Sequence, residues 1–140
     1  MIQRIQTLWL LAASAFGFLS LKFAFYSGNE IKDVLKQYAV LNGITTIPII
    51  ILTVGVALLS FIVIFLYKQR KLQMRLCIAA LAGAILNIVL YFLEKEKFVA
   101  GESSFDLTSV FVFAIPVFLI LAIRGIYKDQ KLIKSVDRLR

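Results

Sequence analysis

Hydrophobic residues fall in four long runs along the chain, and most charged residues lie between these runs. None of the runs alternates apolar and polar residues with the two-residue period of a barrel strand. Each run is close to the ~20 residues that a helix needs to cross ~30 Å of hydrocarbon, where every backbone hydrogen bond must be made within the segment. We therefore predict four membrane-spanning helices, at residues 7–26, 47–67, 76–93 and 107–126.

The connections between the runs differ strongly in charge. Those on one side carry a net charge of +9 and those on the other side −1, which together give the +8 of the whole chain. Because Lys and Arg concentrate in cytoplasmic loops, both termini are predicted to be cytoplasmic. The residues that set this topology, and that could also contact lipid or a partner, are Lys68, Arg70, Lys71, Arg75, Lys128, Lys131, Lys134, Arg138 and Arg140.

The start of the chain shares features with a signal peptide. Arg4 precedes the first apolar run, and Ala13-Ser14-Ala15 has the small residues of a cleavage site. The run continues well past Ala15 to Tyr26, however, which favours a span that is not cleaved.

The external connection after the first span has the pattern of a short amphipathic helix. Ser27-Gly-Asn-Glu30 fits a capping box, in which the Ser and Glu side chains cap free backbone amides. The residues that follow place an apolar face every three or four positions, at Ile31, Val34, Leu35, Tyr38 and Leu41. We predict an external helix that lies in the headgroup layer or caps the spans. The second external connection, Glu94–Asp106, has no apolar face and is predicted to be a plain loop.

The basic tail, residues 127–140, is predicted to form a second amphipathic helix on the cytoplasmic side. Leu132, Val136 and Leu139 are spaced i, i+4 and i+7 among charged residues. Anionic lipid attracts such a segment by ~1 kcal/mol per basic residue near the surface. Docking on a cytoplasmic protein is the alternative use of the same face.

The predicted fold class is thus all-α. Residues 1–140 form a single integral membrane four-helix bundle with one external and one cytoplasmic amphipathic helix. Residues expected at helix contacts are Ala13, Gly17, Ala79, Gly83 and Asn87, because small side chains let helices approach and Asn can hydrogen-bond across them. Whether these contacts serve the bundle or a partner's helix stays open. Pro116 is expected to kink the fourth span.

Composition disfavours an enzyme. The chain is 61% hydrophobic, against ~45–50% for soluble proteins, and contains one Cys and no His. It also lacks the glycine-rich phosphate loop of nucleotide hydrolases. No Asp, Glu, Arg or His lies in the middle of a span, which disfavours an ion- or proton-coupled pump. We therefore expect no catalytic residue, no cofactor and no metal site.

Four segments carry a resemblance to a known family. They are MIQRIQTLWLLAA at the start, TIPIIILT (46–53), FLYKQRKLQMRLC (65–77) and LAIRGIYKDQKLIKSVDRLR at the end. With them the whole chain resembles a Bacteroidetes family of small four-span membrane proteins, described as domain of unknown function number 4293. The resemblance implies a multi-pass protein of the bacterial inner membrane. It implies no activity, substrate or catalytic residue.

Three hypotheses of function follow. The preferred one is a non-enzymatic accessory or assembly subunit of a larger inner-membrane complex, whose partner is a membrane protein or a second copy of the chain. The first alternative is a small transporter or channel that works as an oligomer, with an unknown small-molecule substrate. The second is a membrane adaptor that binds ribosome, RNA or anionic lipid through the basic cytoplasmic face. Nucleic acid is the less favoured partner, because topology already explains the basic residues.

Overall fold

The computed structural model describes residues 5–32 and 35–137, with side chains for all of these except 31, 32, 35, 36, 100 and 133–137. A hairpin of two strands follows the first helix, and a single strand follows the third helix. In chain order the elements are α1 (Ile5–Lys22), β1 (Ala24–Lys32), β2 (Leu35–Asn42), α2 (Ile47–Phe65), α3 (Arg70–Lys95), β3 (Phe98–Phe105), a 3-10 turn (Leu107–Ser109) and α4 (Val110–Asp137).

All four predicted spans are helical, and each helix is long and apolar enough to cross a membrane. Two of the differences between the predicted and observed boundaries change the description of the connections. Helix α1 ends at Lys22, so residues 24–26 belong to a strand and not to the first span. Helix α3 begins at Arg70, six residues earlier than predicted, so most of the basic connection is the first turns of a helix.

The main helix contacts join α1 to α2 and α4, and α3 to the same two helices. Small and branched side chains fill the space between them, and the centre of this core is formed by Leu10, Ala13, Val56, Val63, Cys77, Ala80, Ala84, Ile115 and Leu119. Helices α1 and α2 approach closely at Gly17, where a Cβ would be only 2.8 Å from the Cβ of Ala57. Position 17 therefore requires glycine because Ala57 leaves no room for a side chain, and not because of the backbone conformation.

The prediction of an external amphipathic helix is wrong. Residues 24–42 form an antiparallel hairpin of β1 and β2, and Ser27 of the expected capping box pairs with Val40 across it. The all-α fold class is therefore confirmed only in part: the fold is mostly helical, but it also contains a small antiparallel sheet. Local helical periodicity was overridden by pairing with a distant strand, since β1 lies between β2 and β3 in the sheet.

The predicted plain loop at residues 94–106 is also corrected, because most of it is strand β3. This strand pairs antiparallel with β1, for example Ser27 with Ser104. At Gly28 the two strands come so close that any Cβ would overlap Ser103. The pairing was missed because β3 has its aromatic residues at its two ends, Phe98 and Phe105, and no alternating apolar face between them.

Helix α4 continues without a break from Val110 to Asp137, so the predicted tail helix is an extension of the fourth span. The last three residues, with Arg138 and Arg140, lie outside the described residues. Pro116 lies inside α4. Since proline has no N–H, the Val112 carbonyl has no donor at the usual position four residues on.

Candidate functional site

The basic connection and the end of α4 meet at one end of the four helices. The Gln130 side chain donates a hydrogen bond from Nε2 to the Arg70 carbonyl at 3.1 Å. The Arg70 guanidinium in turn donates from Nη1 to the Asp129 carbonyl at 3.4 Å. The structure thus joins the two groups of basic residues that the sequence placed on the same side.

Most of the predicted basic residues are exposed at this end, namely Lys68, Lys71, Arg75, Lys128 and Lys131, while Arg70 is half-buried. The side chain of Lys134 is not among those described. Two open hollows lie between these residues, one of about 560 Å³ around Lys68–Arg75 and one of about 670 Å³ between α3 and α4. Exposed cations beside such hollows can pair with phosphate groups.

The first turn of α3 has an unfavourable charge arrangement. Arg70 and Lys71 occupy the N-terminal end of that helix, which carries no acidic residue in its first turn. The helix dipole makes this end partly positive, so cations here are destabilising. The hydrogen bonds of Arg70 to α4 offset this effect.

A polar group lies inside the helices at the level of Asn87. Its Nδ2 donates to Thr53 Oγ1 on α2 at 3.0 Å, and both side chains are almost completely buried. Asn87 Oδ1 has no hydrogen-bond partner among the described residues. Tyr91, one turn further, is fully buried with its hydroxyl near Thr53 but without hydrogen-bond geometry to it. The predicted helix contact of Asn87 is thus made within the chain.

The residues predicted at helix contacts differ in their burial. Ala13 and Gly17 are buried between helices, and a Cβ at Gly83 would lie 3.0 Å from Val56 Cγ2. Ala79, by contrast, is exposed on the outer surface of α3. The small residues therefore serve the chain's own packing at three of these positions, and Ala79 faces outward.

Two buried glutamines belong to the same interior and were missed from the sequence. Gln73 on α3 is fully buried and donates from Nε2 to the Val63 carbonyl at 3.2 Å, while its Oε1 has no described partner. Gln6 on α1 is 3% exposed, and its Oε1 also has no hydrogen-bond partner among the described residues. The sequence signal for Gln73 is its spacing. It continues, in alternating steps of four and three residues, the positions that the structure buries on α3, namely Gln73, Cys77, Ala80, Ala84, Asn87 and Tyr91.

At the opposite end, the sheet is fixed to the helices by aromatic side chains. The ring of Phe25 on β1 lies 4.5 Å from that of Tyr91 on α3 and 5.6 Å from that of Phe105 on β3. The ammonium of Lys95 lies 4.5 Å from the centre of the Phe105 ring, a cation–π distance. Tyr26 and Ser103 share a hydrogen bond of 2.9 Å between β1 and β3. The sheet is therefore part of the same packed unit.

Comparison with known families gives one match. Residues 2–139, nearly the whole chain, match the family described as Domain of unknown function (DUF4293). The chain belongs to this family. No curated protein matches the chain.

Membership of DUF4293 agrees with the predicted family resemblance and carries no activity with it. Within the described residues of this DUF4293 chain, no group of three or more His, Cys, Asp or Glu side chains is placed to hold a metal ion. Its one cysteine, Cys77, is buried in the core between helices. The surfaces left for recognition are the basic end and the sheet.

Strand β2 is one of the two outer strands of the sheet. In the described part of the chain β2 pairs only with β1, so its other edge has no strand beside it. Tyr38 is 71% exposed on this strand, and Val40 on the same face is also exposed. An open edge next to exposed apolar side chains can accept a strand or a loop of another protein.

Proposed function

We propose that this protein is a non-enzymatic accessory or assembly subunit of a larger complex in the bacterial inner membrane. The sheet end contacts the partner and the four helices anchor it. The observation that carries the proposal is the β2 edge, where an unpaired strand presents the exposed side chains of Tyr38 and Val40. Such a surface is suited to hold a partner, because an open strand edge can pair with a strand of another chain.

The rigid attachment of the sheet supports this role. The contacts of Phe25 with Tyr91 and of Lys95 with Phe105 link the sheet to α3. The edge of β2 is therefore held in a fixed position relative to the helices. A preorganised surface loses less entropy on binding than a mobile one, which favours a docking role.

The charge asymmetry supports the orientation. The basic end faces the cytoplasm under the positive-inside rule, which places the sheet outside. The partner is accordingly a membrane protein with an external segment, or a second copy of this chain.

Affinity purification of the tagged full-length chain in several mild detergents, followed by mass spectrometry, tests the proposal. Tyr38→Lys introduces a charge beside Val40 on the exposed face of β2, and Gln37→Lys introduces the same charge at an exposed position on the opposite face of the same strand. We expect one membrane protein to be recovered with the wild type and with Gln37→Lys, and about fivefold less with Tyr38→Lys. Recovery of the chain alone, at the elution volume of a monomer, in every detergent would contradict the proposal.

A second candidate, a small transporter or channel that works as an oligomer, is favoured by the interior polar group. Asn87 Oδ1 and Tyr91 Oη both lack described hydrogen-bond partners between the helices. Unpaired polar atoms at membrane depth often line a pathway. Flux through proteoliposomes measures this function, and an Asn87→Leu variant with unchanged flux would remove Asn87 from it.

A further inference from the structure

A cavity of about 440 Å³ lies between α1 and α4 at the basic end of the helices. One part of its wall is apolar, with Ile5, Trp9 and Leu121, and the other part is polar, with Gln6, Arg124 and Lys128. Its volume falls within the range of ~300–1,000 Å³ that is typical of ligand sites. A wall that is apolar on one part and cationic on the other fits an amphiphile.

Gln6 is the observation that points to a ligand. Its side chain is 97% buried in this wall, since 3% is exposed, and its Oε1 has no hydrogen-bond partner in the described structure. The oxygen lies 3.8 Å from the position that a Cβ would take at Gly125, which also lines the cavity. A half-turn of the planar carboxamide exchanges its oxygen and nitrogen, so the group can meet an acceptor or a donor from the cavity.

The charges define what the polar end can hold. Arg124 and Lys128 are one helical turn apart on α4, both are exposed, and both line the cavity. Two adjacent cations suit a phosphate diester, which Arg can bind through two parallel hydrogen bonds. Asp129 also lines the cavity and makes interactions of its own within the chain.

The depth of the cavity agrees with a lipid. Four helices of this length and hydropathy cross a bilayer, and the basic end then lies at headgroup level. Trp9 beside the polar wall is typical of that interface, and Leu121 continues the wall toward the apolar part of α4. A soluble phosphate compound would leave this apolar wall without a contact.

We propose that the cavity binds one anionic phospholipid with a hydroxyl-bearing head group. Arg124 and Lys128 hold the phosphate, the Gln6 carboxamide hydrogen-bonds the head-group hydroxyl, and an acyl chain lies along Trp9 and Leu121. The site is independent of the accessory role, since it lies at the end of the helices opposite the sheet.

Native mass spectrometry of the full chain, released from mixed micelles with phosphatidylglycerol or phosphatidylcholine, tests the site. We expect one phosphatidylglycerol to be retained about thirtyfold more than phosphatidylcholine, since two cations at about 1 kcal/mol each contribute about 2 kcal/mol together and every 1.4 kcal/mol is tenfold. Arg124→Gln with Lys128→Gln should lower this ratio about tenfold or more and leave the smaller preference that the Gln6 contact contributes. Lys131→Gln is the matched control, because it removes a charge from the same helix outside the cavity. An equal loss with Lys131→Gln would overturn the proposal in favour of diffuse surface charge.

Gln6→Leu separates the head-group contact from the charge. It should lower phosphatidylglycerol retention about threefold or more without changing phosphatidylcholine, and circular dichroism and elution volume report whether the variant folds. Gly125→Val, whose Cβ would lie 3.1 Å from the Gln6 Cβ at the cavity wall, should displace the Gln6 side chain and abolish specific retention while leaving all charges in place. Unchanged retention in both variants would overturn the site. Displacement of the lipid by soluble glycerol 3-phosphate at equal concentration would also overturn it, because the apolar wall would then contribute nothing.

Discussion

The hydrogen bond between Asn87 and Thr53 allows a quantitative test of the helix contacts. Thr53→Val keeps the shape of the side chain and removes the acceptor of the 3.0 Å bond from Asn87 Nδ2. Asn87 Oδ1 already lacks a described partner, so the substitution leaves the whole buried carboxamide unpaired. We expect a loss of about 1–2 kcal/mol in the free energy of unfolding, the range for a buried group that loses its partner.

A substitution of the donor, Asn87, should have a smaller effect on the free energy of unfolding. Asn87→Leu removes the donor together with the unpaired acceptor, and the remaining Thr53 hydroxyl can bond a carbonyl of its own helix one turn back. We expect a loss of less than about 1 kcal/mol. In the Asn87→Leu background, Thr53→Val should then have almost no effect. The double-mutant cycle should therefore give a coupling energy of about 1 kcal/mol.

Reversible unfolding in mixed detergent micelles, followed by circular dichroism, measures these differences. Ser60→Ala is the matched control, because the Ser60 hydroxyl donates to the Val56 carbonyl of its own helix and joins no second helix. Its effect should be the same in both backgrounds within ~0.5 kcal/mol. If Thr53→Val were equally destabilising with and without Asn87, the bond would not hold α2 to α3.

Two further predictions concern packing and topology. Gly17→Ala should destabilise the chain by about 1–3 kcal/mol in the same unfolding assay, because its Cβ would come within 2.8 Å of the Ala57 Cβ, whereas Gly55→Ala, which meets nothing within 4 Å, should not. Equal effects would refute the close approach of α1 and α2. In a Cys77→Ala background, a cysteine at the exposed Ser104 should react with a membrane-impermeant maleimide in intact cells, and one at the exposed Lys131 only after permeabilisation. The opposite labelling would reverse the orientation.

The helices could be predicted because their signal is local. Twenty consecutive apolar residues can satisfy their backbone groups only within the segment, whatever the rest of the chain does. The helix ends could not be predicted as well, because polar residues end the apolar run while the backbone hydrogen bonds of the helix continue. Gln6, Gln73 and Arg70 lie in helices but outside the predicted spans, and the buried glutamines were missed for that reason.

The sheet could not be predicted because its stabilising contacts are not local. Residues 31–41 have an apolar period that also fits a helix, and only β3, far along the chain, supplies the second partner of β1. The contacts that decide the outcome, such as Tyr26 with Ser103 and Phe25 with Tyr91, join residues that no local window contains.

The central position of β1 in the sheet has a consequence for biosynthesis. The β1–β2 hairpin is complete as soon as Asn42 has been made, but the second edge of β1 can be paired only after α3 and β3 have followed. While α2 and α3 are being synthesised, the hairpin therefore has both edges open, and the Phe25 ring is not yet covered by Phe105. Closure by β3 is a late step that joins the two halves of the chain. A chain truncated after α2 would lack this step, and the unpaired edge of β1 could then pair with strands of neighbouring chains.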